Sequence, residues 1–413
     1  MFDAVIIGGG ASGLCAAVRL KEKYPQINTA VLETLDRVGK KLITTGNGRC
    51  NITNSNADST RYHGADTDFI NNVLKRYGVK NTVEFFENCG VDIVFEDDGR
   101  AYPASYQAGS VVDALRFSAQ EKGVTIINNV HVDDIKFGKT FKLVYDGGIY
   151  EAKSVIIAAG LLSGGGKLGC DGSVLNILKK HGVSTVSLSP AIVQLKTENN
   201  ITKQLKGIKV TANVSICRNN KTLRNEFGEV LFTDYGLSGP PVLQVSRFAG
   251  VGGSAAEVCI DFKPEYNYGE LAEHLKKRRV KLADRSAAEF LTGFINKRIG
   301  QVLLKICGVD IQSAVSAIND KNLTDITALL KSLKFKVTGS TGFVNSQVTA
   351  GGINASELDG SLQFRRIKGM FACGEIIDVD GDCGGYNLQW AFSSAFCAVD
   401  GVADYLGENN DTY

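Results

Sequence analysis

No stretch of the 413-residue sequence approaches the ~18 apolar residues that a membrane-spanning helix needs, so no membrane partner is expected. Neither sign of charge dominates. Lys and Arg number 46 against 44 Asp and Glu, a formal net charge of +2, and such a chain has no overall field to gather a polyanion. Nucleic acid is therefore not the expected partner. The 10 cysteines contain no Cys-x-x-Cys, and the 4 histidines form no His-x-His or His-Glu-x-x-His pattern. These absences argue against a disulfide framework and against a metal site, leaving the cysteines as free thiols that are mostly small core residues. Met1-Phe2-Asp3 lacks the basic start of a secretory signal, which makes the cytoplasm the expected location.

What is present is the composition of a globular protein, 44% hydrophobic and 22% charged, in a length that suggests roughly two or three domains. Residues 3–8 are a short apolar run ending in glycine, as in a buried parallel strand. A helix with Leu14, Ala17, Val18 and Leu20 on one stripe follows, then a second buried strand at 29–33, giving a β-α-β unit. Residues 44–51 are too rich in turn formers for regular structure. Apolar spacing predicts helices over about 69–89 and 110–122 and strands over 124–132, 141–144 and 154–160.

After Pro190 the strands become short, β-branched and separated by polar turns, as in a small sheet or barrel, and from about 268 to 333 the spacing is helical. Glycine-rich strand signals return at 349–352 and 370–374. The simplest architecture is a discontinuous α/β domain (1–188 and 339–413) interrupted by a β-barrel segment (189–265) and a helical segment (266–338). Lys276-Lys277-Arg278-Arg279 with Lys281 is the one strong charge run, read as a solvated helix face rather than a docking patch.

Gly8-x-Gly10-x-x-Gly13 stands between a strand and a helix, the context that gives this motif its meaning. Gly8 permits the tight turn, Gly10 lets the backbone approach a pyrophosphate, and Gly13 allows close helix–strand packing. The helix start at Ala11 and Ser12 offers N–H groups and a positive dipole end to phosphate charge. Glu33, 20 positions after Gly13, ends the next strand, where a carboxylate can accept from both ribose hydroxyls of an adenosine. These features suit NAD or FAD equally. A second strand–acid site, Gly374-Glu375, and a second helix start at Gly384-Gly385-Tyr386-Asn387-Leu388-Gln389 favour FAD, whose ribityl and flavin need them.

Together, Gly8-Gly9-Gly10-Ala11-Ser12-Gly13-Leu14, Gly39-Lys40-Lys41-Leu42, Gly46-Asn47-Gly48-Arg49-Cys50-Asn51, Asp234-Tyr235-Gly236-Leu237-Ser238-Gly239-Pro240 and the run from Gly374 to Trp390 resemble one family. It is the family of three-domain bacterial FAD-dependent flavoproteins that includes aminoacetone oxidase and the BaiN-type reductases. The resemblance implies a Rossmann-like FAD domain of the glutathione-reductase type, discontinuous, with inserted small β-barrel and helical domains.

It further implies Gly10 to Gly13 on the pyrophosphate, Glu33 on the ribose, Lys40 and Lys41 beside the phosphates, and Val132, read as part of a strand, at the adenine. The ribityl and flavin would meet Gly46, Gly48, Arg49, Cys50, Asn51, Gly374, Glu375, Gly385, Tyr386, Asn387, Leu388 and Gln389, with Ala159 and Gly160 also among the cofactor contacts. Members of this family carry Ala-Thr-Gly-Gly and a Tyr-Pro turn after the Gly160 strand. Here the run is Ala158-Ala159-Gly160-Leu161-Leu162-Ser163.

The expected activity is FAD-dependent oxidoreduction, with the flavin N5 exchanging a hydride with a small organic substrate. No second Gly-x-Gly-x-x-Gly follows Gly160, so NADH or NADPH would bind only transiently at the flavin face. A reductase drawing on NAD(P)H is the first reading. An oxygen-using oxidase of a small amine and a non-catalytic flavin-binding protein are the alternatives, and the sequence names no catalytic acid or base.

Overall fold

Strand β1, Phe2–Ile7, is apolar on both faces from Ala4 onward, and these last four residues are buried. Such a strand is stable only where both faces are covered. It pairs in parallel with β2, Thr29–Leu32, on one side and with the strand Gly148–Ile157 on the other. Thr125–Ile127 flanks β2, while the far half of Gly148–Ile157 pairs in parallel with Met370–Ala372. Its near half turns antiparallel onto Phe141–Tyr145, which pairs with Asp134–Lys136. This computed structural model describes residues 1–198, 200–250 and 256–410.

The chain forms two compact units, Met1–Pro190 with Gln347–Tyr413 and Ala191–Ser346. In the first, helix α1, Ala11–Lys23, and the long helix Tyr386–Asn410 pack together beside the sheet. Leu14, Phe371, Phe392 and Phe396 are sealed from solvent, and edge-on aromatic pairs such as Phe86–Phe392 (4.9 Å) and Phe85–Phe396 (5.2 Å) hold the outer helices to the long one.

In the second unit six strands close a barrel: Leu195–Thr197, Gly236–Ser238, Lys221–Phe232, Lys209–Arg218, Glu257–Asp261 and Leu333–Ser340. Period-two alternation sets its inside: Ala212, Val214, Ile216, Val258 and Ile260 are inaccessible while their neighbours are partly exposed. Helices Tyr268–Lys281, Lys297–Ile306 and Asp320–Lys331 share one apolar core with the barrel, Leu275, Leu303 and Leu330 joining Val258 and Phe335. Leu333–Ser340, which a boundary at 338 would divide, is a barrel strand, with Leu333 and Phe335 inward and Lys334 outward.

Local turn chemistry changes some sequence expectations. The helical stretch around 69–89 is two helices, Thr67–Arg76 and Val79–Asn88, because Gly78 starts the second in extended backbone. Val132 is not in a strand: the chain leaves the sheet after Ile127, and its buried side chain fills core between two strands. The basic run is a helix face whose guanidinium groups are engaged. Arg278 donates to the carbonyls of Phe290 and Thr292, and Arg279 donates to Ile318 O (2.9 Å) and pairs with Asp320.

Candidate functional site

The β1–α1 turn is shaped by its glycines. Gly8 has φ +106°, and a Cβ there would lie 2.5 Å from the Ala158 carbonyl oxygen. A Cβ on Gly13 would lie 1.8 Å from the Gly8 oxygen, so only glycine lets α1 start this close to its strand. Gly10 differs: nothing lies within 4 Å of where its Cβ would be. It is the N-cap of α1, with no side-chain cap and no acid in the first turn. An open cradle at an uncapped helix start is what an anion needs.

Glu33 lies beside this turn with 9% of its surface exposed. One carboxylate oxygen accepts from the Gly9 N–H (2.9 Å), the other from the Leu35 N–H (2.8 Å). Burial pushes its carboxyl above the usual range, and these two N–H bonds act against that. The carboxylate is thereby fixed by backbone alone. The Val130 N–H reaches the Glu33 carbonyl (2.9 Å), which brings the segment carrying Val132 to the same end of β2.

Helix α2, Lys40–Thr44, begins at Gly39, whose left-handed backbone (φ +76°) lets its N–H reach the Gly9 carbonyl (2.9 Å). The two lysines then diverge. Lys40 pairs with Asp36 one turn back at 2.5 Å, in solvent. Lys41 turns inward and donates to both Ser163 Oγ and Glu375. Burial would lower the Lys41 pKa, but the Glu375 carboxylate outweighs it and holds the ammonium above its ordinary range. Glu375 also accepts from Ser163 Oγ and the Thr349 N–H (2.9 Å). Gly374 comes against α1, since a Cβ on it would lie 2.5 Å from Ser12 Oγ.

A third group surrounds the start of the Tyr386–Asn410 helix. Gly46, Asn47 and Gly48 are all left-handed, as is Cys50 (φ 60°), which is why this loop has so many turn formers. Cys50 is inaccessible and burial pushes its thiol up to about 12, so it stays protonated at neutral pH. Arg49 faces outward over the Tyr102 ring, 4.5 Å from its centre. Asn51 is buried, and its Oδ1 has no hydrogen-bond partner although a Cβ on Gly385 would lie 2.8 Å from it. An orphaned acceptor beside a glycine at a helix start marks a place for a ligand N–H.

Other predicted contacts are engaged within the protein. Gln389 is inaccessible and bridges Thr53, Thr82 (2.9 Å) and Ser393 (2.7 Å). Asn387 grips the Gly381 backbone through both amide atoms at 2.8 Å, and the Tyr386 carbonyl accepts from Tyr62 OH (3.0 Å). Leu388 is half-buried against the core. Near the glycine turn, Ala159 packs on Gly8, and Gly160 (φ +63°) faces open space. Sequence reasoning missed Thr349 and the role of Ser163, which stands in the turn where the chain departs from the family pattern. Among the described residues no group of three metal-ligating side chains occurs and no helix is long and apolar enough to cross a membrane.

The profile of the HI0933-like protein Rossmann domain matches residues 2–401. The chain is 34% identical over 408 residues to 3-dehydro-bile acid delta(4,6)-reductase of Clostridium scindens, covering 97% of this chain and 98% of that one. It is 27% identical over 409 residues to a ribosomal RNA dihydrouridine synthase of Escherichia coli, covering 97% and 98%. Among solved structures, 3-ketosteroid-delta4-(5alpha)-dehydrogenase of Rhodococcus jostii superposes with a TM-score of 0.51 at 13% identity, covering 97% and 96%, a likeness of fold.

Proposed function

The chain belongs to the HI0933-like family, and from that premise we propose that it reduces a carbon–carbon double bond conjugated to a carbonyl, drawing electrons from NADH or NADPH. It is an FAD-dependent oxidoreductase. The observation that carries the finer reading is the near full-length similarity to the Clostridium scindens reductase. When bound, FAD supplies two-electron exchange with the substrate at the flavin N5.

The protein's part is to hold and orient. The cradle at Gly10 and the α1 N-terminus would take the diphosphate, and Glu33, already fixed by two N–H groups, would present its remaining lone pairs to the ribose. Lys41 would place a positive charge near the same helix start, held there by Glu375 and Ser163. At the far end Asn51 Oδ1 and the first turn of the Tyr386–Asn410 helix would meet the ring edge, where a helix start with no acid in its first turn favours negative charge.

The Escherichia coli relative's name specifies an RNA substrate. Uracil's reducible bond is also conjugated to a carbonyl, so the chemistry would be shared and only the partner would change. A small molecule is favoured here because Arg278 and Arg279, the guanidinium groups of the one basic run, are spent on the protein's own carbonyls.

Anaerobic mixing with NADH and NADPH, followed by a 3-oxo-4,6-diene steroid, tests the reading. The flavin absorbance should bleach with one nucleotide and return with the dienone. Return only on admitting oxygen, with peroxide formed in equal amount, would make the protein an oxidase; return with unmodified ribosomal RNA alone would assign it the nucleic-acid substrate.

A further inference from the structure

The barrel carries a feature that the redox site does not use. Lys209–Arg218 and Glu257–Asp261 are antiparallel neighbours, with Cys217 opposite Glu257 and Cys259 opposite Ser215. The two cysteines are thus diagonal on one face, and because Ile216, Val258 and Ile260 point inward, that face is the outside of the barrel. Their sulfurs are 3.8 Å apart, and both are partly exposed in a polar depression whose lining includes Asn213, Glu257, Asp261 and Lys334. Thr222 Oγ1 lies 3.6 Å from Cys217 Sγ, and Ser332 and Lys334 face Cys259.

We infer that Cys217 and Cys259 form a redox-active dithiol that closes to a disulfide across the barrel's outer face when it meets a low-molecular-weight disulfide. A disulfide needs its sulfurs at about 2.05 Å, so closure requires a relative movement of under about 2 Å. The strand can supply it: the register with Lys221–Phe232 shifts between Ile216 and Cys217, a bulge at which the ladder is already loosened.

The chemistry balances without the flavin. The Cys217 thiolate attacks one sulfur of the small disulfide, forming a mixed disulfide and releasing one small thiolate. The Cys259 thiolate then attacks Cys217 Sγ and expels the second. Two protein thiols are oxidised, one small disulfide is reduced to two thiols, and the two protons lost by the cysteines are taken up by the departing thiolates. Cys217 is the entry point because the Cys259 thiol donates toward the Cys217 sulfur, an arrangement that favours the thiolate on Cys217; burial pushes the Cys259 thiol up to about 11, and proximity offsets this in the closing step.

The test incubates the intact flavoprotein with glutathione disulfide, alkylates the remaining thiols and maps the peptides by mass spectrometry. Expected is one cross-link joining the peptides of Cys217 and Cys259, two alkylatable thiols fewer than the reduced protein's 10, and full reversal by dithiothreitol. Cys259→Ser should instead trap a stable glutathione adduct on Cys217. Both cysteines alkylated after exposure, or wild-type Cys217 left as a lasting glutathione adduct with Cys259 free, would overturn the inference.

Discussion

Two glutamates follow parallel strands of the same sheet, Glu33 after β2 and Glu375 after Met370–Ala372, and the protein holds them by opposite means. Glu33 is fixed by the N–H groups of Gly9 and Leu35, which are set by the course of the chain. Glu375 is fixed mostly by side chains, Lys41 and Ser163, with one N–H from Thr349. A backbone-built site is rigid and intolerant, because a methyl group in the wrong place moves a helix. A side-chain-built site is adjustable, since a partner can be exchanged for another of similar reach, and its failures should be graded.

The largest effect should come from the backbone-built half. Gly13→Ala places a methyl 1.8 Å from the Gly8 oxygen, so α1 must shift off the sheet. Expected is a loss of about 3 kcal/mol or more, beyond ordinary overpacking, together with loss of FAD. Gly10→Ala separates folding from binding: its methyl meets nothing within 4 Å. The flavin-free variant should unfold in urea as flavin-free wild type does while failing to retain FAD. Unaltered FAD retention would show that the cradle is not where the phosphates lie. Next in size, Glu33→Ala should raise the Kd for FAD by a factor between about 10 and 150, the equivalent of 1.5–3 kcal/mol for charge-assisted hydrogen bonds. Flavin fluorescence titration reads it.

On the side-chain side, Lys41→Met removes the cation and leaves the Glu375 carboxylate with Ser163 and one N–H. The cost should be about 2 kcal/mol in urea unfolding, under the 3–5 kcal/mol of a fully buried pair because both side chains keep some solvent contact. Adding Glu375→Gln should recover part of that loss, as coupling requires. An additive double variant would mean that the two groups are independent and that the contrast between the halves is false.

The same contrast explains what could be read in advance. The glycine turn, β1, α1 and β2 were legible because their pattern is local: Gly8, Gly10 and Gly13, within six positions, stand between an apolar strand and an apolar helix stripe, and Gly13 answers to the Gly8 oxygen five positions back. Apolar runs such as 154–157 and 370–372 were legible as buried strands for the same reason. The Lys41–Ser163–Glu375 cluster joins positions 122 and 334 residues apart, and no local pattern carries that. Gln389 shows the limit of a motif: a glycine-led run points to a flavin contact but does not reveal that the Gln389 side chain is a polar clip in the core between Thr53, Thr82 and Ser393.

The smallest expected effect lies at the Glu33 end, where a side-chain device adjoins the backbone-built one. His131 Nδ1 is 2.8 Å from Asp133 and Nε2 is 3.1 Å from Asp171, which joins the segment of Val132 to the glycine-rich loop before the helix Ser173–Lys180. Two carboxylates, one at each ring nitrogen, call for both N–H groups, hence for the imidazolium. Accordingly the hydrogen bond to Asp133, with burial opposing and Asp171 adding, holds the His131 pKa above its usual 6.5. Asp171 is held below 3.8, where burial alone would raise it, by the Ser173 N–H and His131. A raised histidine contributes all of its stability below the unfolded pKa and loses it as pH rises through the folded one; a depressed aspartate contributes above its unfolded pKa and loses it as pH falls. Both contributions are therefore complete between about pH 4 and 6.5, and the histidine's fades above that window. His131→Gln should destabilise the protein by less than about 1 kcal/mol at pH 6, since the groups are 42–52% exposed, and by less still at pH 8 or in high salt. Urea midpoints at the two pH values measure it, and a wild-type advantage unchanged from pH 6 to pH 8 would show that the imidazolium plays no part in holding the loop.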